Sequence, residues 1–300
     1  MIDEKAQWQS RPEAGSTGGL RFLVWVAEHL GRGVLHAMLW PVSLYFVLVR
    51  GPERRASFSY LSRVFERPAR LGEVINHFHY FAKTTADRFY FLANPDSIPV
   101  RFVVDPRLDE VLERGKPGIF LAAHFGSFEA ARVLGPRMGG IRLRIVLDKA
   151  VNQRFMDIMA EVEPELAGLI IDSEQGSVEL GLAIGDALRE GDWVGFLADR
   201  HRAGDRTSSQ TFLGTPAPFP TGPYIIANLF KAPLIGAFCC LTHNGYEVHC
   251  EVISEQANIP RKQRGAAIDA LTARYVARLE HHVRSSPYAW FNFFDFWDQD

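Results

Sequence analysis

The stretch GIFLAAHFGSFE, Gly118–Glu129, decides how the centre of this chain folds. It opens with a short apolar run, Gly118–Ala123, which has the length of a buried β-strand. An imidazole, His124, follows the run at once, and a carboxylate, Glu129, comes five residues later. Positions five apart on one helix lie about 140° apart round its axis, so the two side chains could not meet there. The spacing therefore predicts a strand, a loop containing Gly126 and Ser127, and then a helix.

At such a junction the Glu129 carboxylate can fold back onto one ring nitrogen of His124. The other nitrogen is then left to accept a proton, while the carboxylate fixes the tautomer and raises the pKa of the imidazole. We interpret His124 and Glu129 as a catalytic dyad, with His124 as general base. A structural histidine is the alternative that these residues alone leave open.

Composition limits the classes of function. The chain has 300 residues, of which 47% are hydrophobic, enough for a sizeable core. A formal net charge of -2 argues against a nucleic-acid binder that relies on bulk positive charge. Cys239 and Cys240 are adjacent and give no disulfide framework, which indicates a reducing compartment.

Two histidine pairs raise the question of a metal. His77 and His79, like His281 and His282, lack companion ligands at tight spacing, so we interpret them as solvated helix residues. The sequence predicts no metal and no other cofactor.

The amino-terminal region divides into a polar tail, residues 1–19, and a segment at 20–50 whose part from Gly33 to Val49 carries no formal charge. This run is shorter than the roughly 20 residues that span a bilayer, and Pro41 predicts a break in it. Arginines flank it and suit anionic head groups. We predict a tilted or half-inserted anchor on the inner face of a membrane, with a buried core helix as the alternative.

The remainder, residues 51–300, alternates between strand and helix patterns, which predicts an α/β domain with a layered mixed sheet flanked by helices. The predicted strands are 100–104, 118–122, 143–147, 169–172, 193–198, 234–241 and 246–252, the last two turning at Asn244-Gly245. The predicted helices are 63–92, 108–114, 128–134, 153–161, 177–190, 224–230 and 263–284. A long loop is predicted at 204–220.

Several motifs together resemble the lipid A biosynthesis acyltransferases, within the lysophospholipid acyltransferase group. The group's mark is His, four residues and an acid, with Glu in the lipid A branch, and here it is His124-Phe-Gly-Ser-Phe-Glu129. The Arg154 stretch LDKAVNQRF and Ala198-Asp199-Arg200, followed by Phe212-Leu213-Gly214, fall where that family places further motifs. The aromatic tail Trp290–Trp297 looks more like the stand-alone acyltransferases of polyene and related lipid clusters.

The resemblance implies a glycerolipid acyltransferase-like fold and a bacterial inner-membrane enzyme whose catalytic domain faces the cytoplasm. It implies transfer of a fatty acyl group from a thioester, on acyl carrier protein or coenzyme A, to a hydroxyl of a lipid acceptor such as a lipid A precursor or a related glycolipid or polyene lipid.

Further site residues follow from that reaction. Arg154 and Arg200 are candidates to bind a phosphate on donor or acceptor, against the alternative of surface salt bridges. Asp199 ends an apolar strand, where α/β folds place their sites, and is a candidate substrate contact. The backbone N–H groups of Gly126 and Ser127 are candidates to meet an oxyanion.

Two rival functions remain at this point. One is a serine hydrolase or thioesterase with Ser127 as nucleophile, although the residues around Ser127 lack the Gly-x-Ser-x-Gly pattern of a nucleophile elbow. The other is a non-catalytic, membrane-anchored lipid-binding protein.

Overall fold

The computed structural model describes His29 and residues 31–93, 97–127, 140–149, 168–202, 204–256 and 263–297. The helices in these ranges are α1 Arg32–Val49, α2 Gly51–Phe65, α3 Leu71–Ala93, α4 Arg107–Glu113, α5 Ser177–Arg189, α6 Gly222–Phe230 and α7 Arg264–Ser285. The strands are β1 Val100–Val104, β2 Ile119–Ala122, β3 Leu143–Leu147, β4 Ile170–Asp172, β5 Trp193–Leu197, β6 Thr207–Phe212, β7 Thr215–Pro220, β8 Leu234–Thr242 and β9 Gly245–Ser254.

Seven strands form one mixed sheet in the order β1-β9-β8-β2-β5-β3-β4. All neighbouring pairs are parallel except β8 and β9, which form an antiparallel hairpin. The central strand β2 is buried along its whole length, as its uninterrupted apolar sequence requires. The α/β fold class and the mixed sheet are thereby confirmed.

The predicted loop at 204–220 is wrong, because this segment folds as the hairpin of β6 and β7. Its turn is Leu213-Gly214, and both residues have positive φ, 50° and 80°, as a tight two-residue hairpin turn needs. Pro216, Pro218 and Pro220 lie two apart in β7. Residues in an antiparallel pair alternate between hydrogen-bonded and non-hydrogen-bonded positions, so all three prolines can occupy positions that need no donor.

Two helix predictions are also corrected. The predicted helix Arg63–Leu92 is two helices, because α2 ends at Phe65 and Glu66 takes a left-handed conformation with φ 54° two residues before Pro68. Pro41 lies inside α1 without ending it. The predicted helices 128–134 and 153–161 and the tail 1–19 lie outside the described residues.

Helix α1 is apolar on both of its faces. Leu35, Leu39, Ser43 and Val47 form a buried stripe that packs on the protein. The opposite face exposes large apolar side chains, namely Val34, Trp40, Val42, Leu44, Tyr45, Leu48 and Val49. Among the described residues, α1 is the one helix long and apolar enough to cross a membrane, and 22% of its apolar window is buried in the protein.

Candidate active site

The centre of the site is a pair formed by His124 and Asp199. Nδ1 of His124 lies 2.9 Å from Oδ1 of Asp199. The sheet explains the contact: β2 and β5 are parallel neighbours in which Ala122 pairs with Leu197, and His124 and Asp199 each follow that pair by two residues. The two side chains therefore meet at the carboxyl ends of adjacent strands, where α/β sheets place their sites.

Electrostatics fix which nitrogen of His124 carries the proton. Burial opposes ionisation of Asp199, but His124, Arg200 and the N–H of Trp290 outweigh it and hold the pKa of this carboxyl well below its usual range. An ionised carboxylate can only accept hydrogen bonds, so Nδ1 of His124 must donate. The neutral imidazole then has its lone pair on Nε2.

The pKa of His124 is lowered, contrary to the expectation that a carboxylate raises it. Burial is the largest cause, and the positive charge of Arg200 adds to it, while Asp199 acts in the opposite direction. The result suits a base at neutral pH, since most His124 side chains are unprotonated there. The His124 side chain keeps 29% of its surface exposed, whereas Asp199 has none.

A second donor completes the environment of Asp199. The indole Nε1 of Trp290 donates to Oδ2 of Asp199 over 2.9 Å, and both groups are buried. One carboxylate oxygen thus accepts from His124 and the other from Trp290. Nε of Arg200 lies 3.8 Å from the same Oδ2 and adds positive charge beside it.

Trp290 belongs to a short segment, Ala289–Asn292, that we call the strap. It lies across the loop after β2: Gly126 N–H donates to the Ala289 carbonyl, and the Phe291 N–H donates to the His124 carbonyl, each over 2.8 Å. Arg200 also donates to the carbonyl of Phe291 over 2.5 Å. The strap therefore fixes the backbone of His124 and the side chain of its carboxylate partner together.

The strap is held from the other side by His77, a fully buried residue of α3. Its Nε2 donates to the Trp290 carbonyl over 2.9 Å, and its Nδ1 lies 2.8 Å from Oγ of Ser57. Burial lowers the pKa of His77 to about 4, so the ring is neutral. The interpretation of His77 and His79 as solvated residues is wrong, because their exposed fractions are 0% and 7%.

Gly126 is required by the close approach of two backbones. Its φ is 65°, and a Cβ atom built there would lie 1.8 Å from the carbonyl oxygen of Cys239 on β8. Because the Gly126 N–H is bonded to the strap, it is not available for an oxyanion. Ser127 is 2% exposed, which places its hydroxyl inside the protein rather than at an open site. A role for the Ser127 N–H at an oxyanion stays a prediction.

The structure changes the interpretation of other predicted site residues. Asp199, predicted to contact substrate, is the carboxylate that holds His124. Arg200, predicted to bind phosphate, has a side chain only 11% exposed and holds the strap, so its phosphate role stays a prediction. Glu129 and Arg154 lie outside the described residues, and their roles also stay predictions.

Sequence reasoning missed Trp290 and His77 as supports of the site. From the sequence, the aromatic tail indicates only a resemblance to stand-alone acyltransferases and assigns no role to Trp290. The tail residues Trp290 and Phe296 are in fact almost fully buried and pack edge to face with Phe212 of β6. The sequence offers one general signal, since the N–H group of a buried indole usually needs a hydrogen-bond acceptor.

The fold and the site together define an α/β protein with a buried carboxylate and a partly exposed histidine at the carboxyl ends of two central parallel strands. A comparison with family models finds a match to the bacterial lipid A biosynthesis acyltransferases over residues 103–298, about two thirds of the chain. The chain belongs to this family, whose members are membrane-associated in bacteria, and is therefore an acyltransferase. A search of curated proteins gave no match.

Proposed function

We propose that this acyltransferase moves a fatty acyl group from a thioester, carried by acyl carrier protein, to a hydroxyl group of a lipid acceptor, with His124 as the general base. The observation that carries the proposal is the contact between His124 Nδ1 and Asp199, which leaves the Nε2 lone pair for the proton of an acceptor hydroxyl. Membership of the lipid A family supports a lipid acceptor of the lipid A precursor or glycolipid kind.

The reaction needs a general base because an alcohol is a poor nucleophile at neutral pH. Nε2 of His124 takes the hydroxyl proton as the oxygen attacks the thioester carbonyl carbon. When the carbon–sulfur bond breaks, the imidazolium returns the proton to the leaving thiolate. A base of this kind contributes roughly 100- to 10,000-fold to the rate. Asp199 stabilises the imidazolium between the two steps without taking its proton.

The pH dependence of the reaction tests this proposal. The base form of His124 is required, so kcat/KM should fall about tenfold for each pH unit below the pKa of His124 and level off above it. Because that pKa is lowered, the midpoint should lie below the ordinary value of about 6.5. The measurement is the initial rate of acyl transfer from an acyl carrier thioester to extracted membrane lipids between pH 4.5 and 8.

The control for that profile is His124→Ala. This variant should be nearly inactive at every pH, so its rate should no longer rise with pH. Ser127→Ala should keep the profile, and its complete inactivation would favour the thioesterase alternative. A wild-type rate that falls at low pH with its midpoint above about 6.5 would contradict the assignment of His124, whose pKa is lowered, as the base. Absence of transfer with every lipid acceptor would favour a lipid-binding protein.

We also propose that the exposed apolar face of α1 lies half-inserted in the cytoplasmic face of the inner membrane. Its 18 residues reach about 27 Å, less than the roughly 30 Å of a hydrocarbon core. The helix is packed along α3 through its buried stripe, which leaves one face for lipid. An interfacial helix of this kind binds through apolar burial and through arginines at anionic head groups.

Substitutions on that face separate membrane binding from folding. Leu44 and Leu48 are 46% and 66% exposed, so Leu44→Glu with Leu48→Glu should leave the fold intact. Burial of each leucine in lipid is worth roughly 1.5–3 kcal/mol, so the double variant should bind anionic vesicles at least about tenfold more weakly. Flotation with vesicles measures the bound fraction. Leu182→Glu, at a 57% exposed leucine of α5, is the matched control and should bind like the wild type. Unchanged binding of the double variant would contradict this orientation of α1.

A further inference from the structure

Three potential metal ligands from two elements converge beside the sheet. His249 and Glu251 lie two apart on β9 and therefore face the same side, and His282 reaches them from the last turns of α7. One ligand atom from each residue lies within 4.8 Å of the others. The sequence shows only the pair His281-His282, because the companion ligands are some thirty residues away: His282 and Glu251 are 31 positions apart.

One of the three distances between these ligand atoms is close to what a zinc ion needs. Nε2 of His282 and Oε1 of Glu251 are 3.0 Å apart. Two ligands at about 2.0–2.1 Å from zinc in tetrahedral geometry are about 3.3 Å apart, so this edge requires little movement. Replacing the proton shared by the two atoms with a metal ion conserves the arrangement.

His249 has the outer partner that metal-bound histidines have. Its Nε2 lies 2.7 Å from Oε1 of Glu247, on the same face of β9. Ligating histidines almost always donate their second ring nitrogen to a carboxylate or carbonyl, which fixes the tautomer and makes the other nitrogen more basic. The contact with Glu247 leaves Nδ1 of His249 with the lone pair for a metal.

His282 is held rigidly. Its ring stacks on Phe238 of β8 at 4.5 Å between centroids, and the ring of His249 lies 4.7 Å away. Its side chain is only 7% exposed.

Arg278 opposes a cation at this position. It donates to both oxygens of Glu251, at 2.5 Å from Nε and 2.7 Å from Nη2. The guanidinium orients the carboxylate, as the hydrogen-bonding partners of ligating carboxylates do, but its charge repels an ion. Its side chain is 42% exposed, so it can keep Oε2 and release Oε1.

We propose that His249, Glu251 and His282 form a zinc site, with water as a further ligand. Two imidazoles and one carboxylate are a ligand set that zinc uses. The bound ion would join β9 to α7 a few residues before the strap, and so stabilise the carboxyl-terminal part of the fold. The site is separate from His124 and Asp199, and the proposal does not depend on the acyl transfer reaction.

Calorimetric titration of the full chain in detergent with zinc chloride, after removal of metals by a chelator, tests the site. We expect one zinc ion per chain and a rise of the melting temperature with zinc, since a ligand that binds the folded state stabilises it. His249→Ala and Glu251→Gln should each weaken binding at least about tenfold. His243→Ala, at an exposed histidine of the β8–β9 turn, should bind zinc like the wild type.

Arg278→Gln gives the sharpest outcome, because it removes the repelling charge and leaves all three ligands. This variant should bind zinc more tightly than the wild type, a result that a purely structural ion-pair network would not produce. His282→Ala loses packing on Phe238 and so is a weaker test than the two variants on β9. Zinc affinity equal in the wild type, His249→Ala and Glu251→Gln would overturn the proposal, as would the absence of any zinc-dependent change in melting temperature.

Discussion

Asp199→Asn is expected to reduce kcat/KM by about 10,000-fold, close to the loss in His124→Ala. The equivalent change in the serine protease triad, where an aspartate orients the catalytic histidine, has an effect of this size because the histidine takes the wrong tautomer. In the present site the same outcome follows from the two donors around Asp199. One oxygen accepts from Nδ1 of His124 and the other from Nε1 of Trp290.

An asparagine has only one oxygen to offer, so it cannot satisfy both donors. The indole N–H of Trp290 can only donate a hydrogen bond, and the positive charge of Arg200 lies beside the same oxygen. The amide oxygen of the new side chain is therefore expected to face Trp290. The amide N–H then faces Nδ1 of His124, which must become the acceptor. The proton moves to Nε2, and the nitrogen that should take the hydroxyl proton no longer has a lone pair.

Trp290→Phe separates this explanation from a general loss of structure. By itself it removes one donor to Asp199, which should raise the pKa of the carboxyl and lower the rate only moderately. Combined with Asp199→Asn, it allows the amide to turn its oxygen to His124 and should recover part of the lost rate. The measurements are kcat/KM and melting temperature for the two single variants and the double variant. If the loss of kcat/KM in the double variant equals the product of the losses in the two single variants, the tautomer explanation is contradicted. If Asp199→Asn alone keeps the wild-type rate, Asp199 has no part in the mechanism.

The comparison of Asp199→Asn with Glu129→Gln bears on the dyad predicted from sequence. The contact between Asp199 and Nδ1 assigns the orienting role to Asp199, while the Glu129 dyad stays a prediction. If both variants lose as much activity as His124→Ala, the imidazole depends on two carboxylates. If Glu129→Gln retains most activity, the spacing of His124 and Glu129 marks the turn after β2 rather than a catalytic pair.

The sequence predicted His124 but not its partner, and the reason is topological. The apolar strands ending before His124 and Asp199 were both predicted within one or two residues, because each is a buried run with clear ends. The two residues are 75 positions apart, and no local pattern says that β2 and β5 are neighbours. Strand order depends on packing of the whole sheet, so the contact appeared only in the fold.

The strap and the β6–β7 hairpin show two further limits of local patterns. Prolines and polar residues are typical of loops, and only their alternation in β7 indicated a strand. Trp290 is 91 positions from Asp199, and its role comes from a single indole N–H. The buried apolar strands and the position of His124 can thus be predicted from local sequence, whereas the groups that contact His124 and Asp199 come from distant segments.

Asp87→Asn is expected to lower the free energy of unfolding by about 3–5 kcal/mol, the cost of breaking a buried charge pair from one side. Asp87 has no exposed surface and joins three elements. It accepts hydrogen bonds from Arg32 at 2.7 and 2.9 Å and lies 2.8 Å from Nε2 of His36, both on α1. It also accepts from the hydroxyl of Tyr246 on β9 at 2.8 Å. An amide of the same size removes the negative charge and leaves the positive charge of Arg32 without its partner.

Denaturation by urea in detergent, followed by tryptophan fluorescence, measures the change. Asp186→Asn is the matched control, because Asp186 pairs with Arg189 on an exposed face of α5 and exposed pairs contribute about 1 kcal/mol or less.

Burial opposes ionisation of Asp87, but Arg32 and His36 outweigh it and lower its pKa. Stability from this group is therefore fully present above the unfolded value of about 3.9 and is lost as the pH falls through the lower folded pKa. Since Asp87 holds α1 against α3 and β9, Asp87→Asn should also loosen α1 and weaken vesicle binding, whereas equal stability of the two variants would mean that α1 is held by its apolar stripe alone.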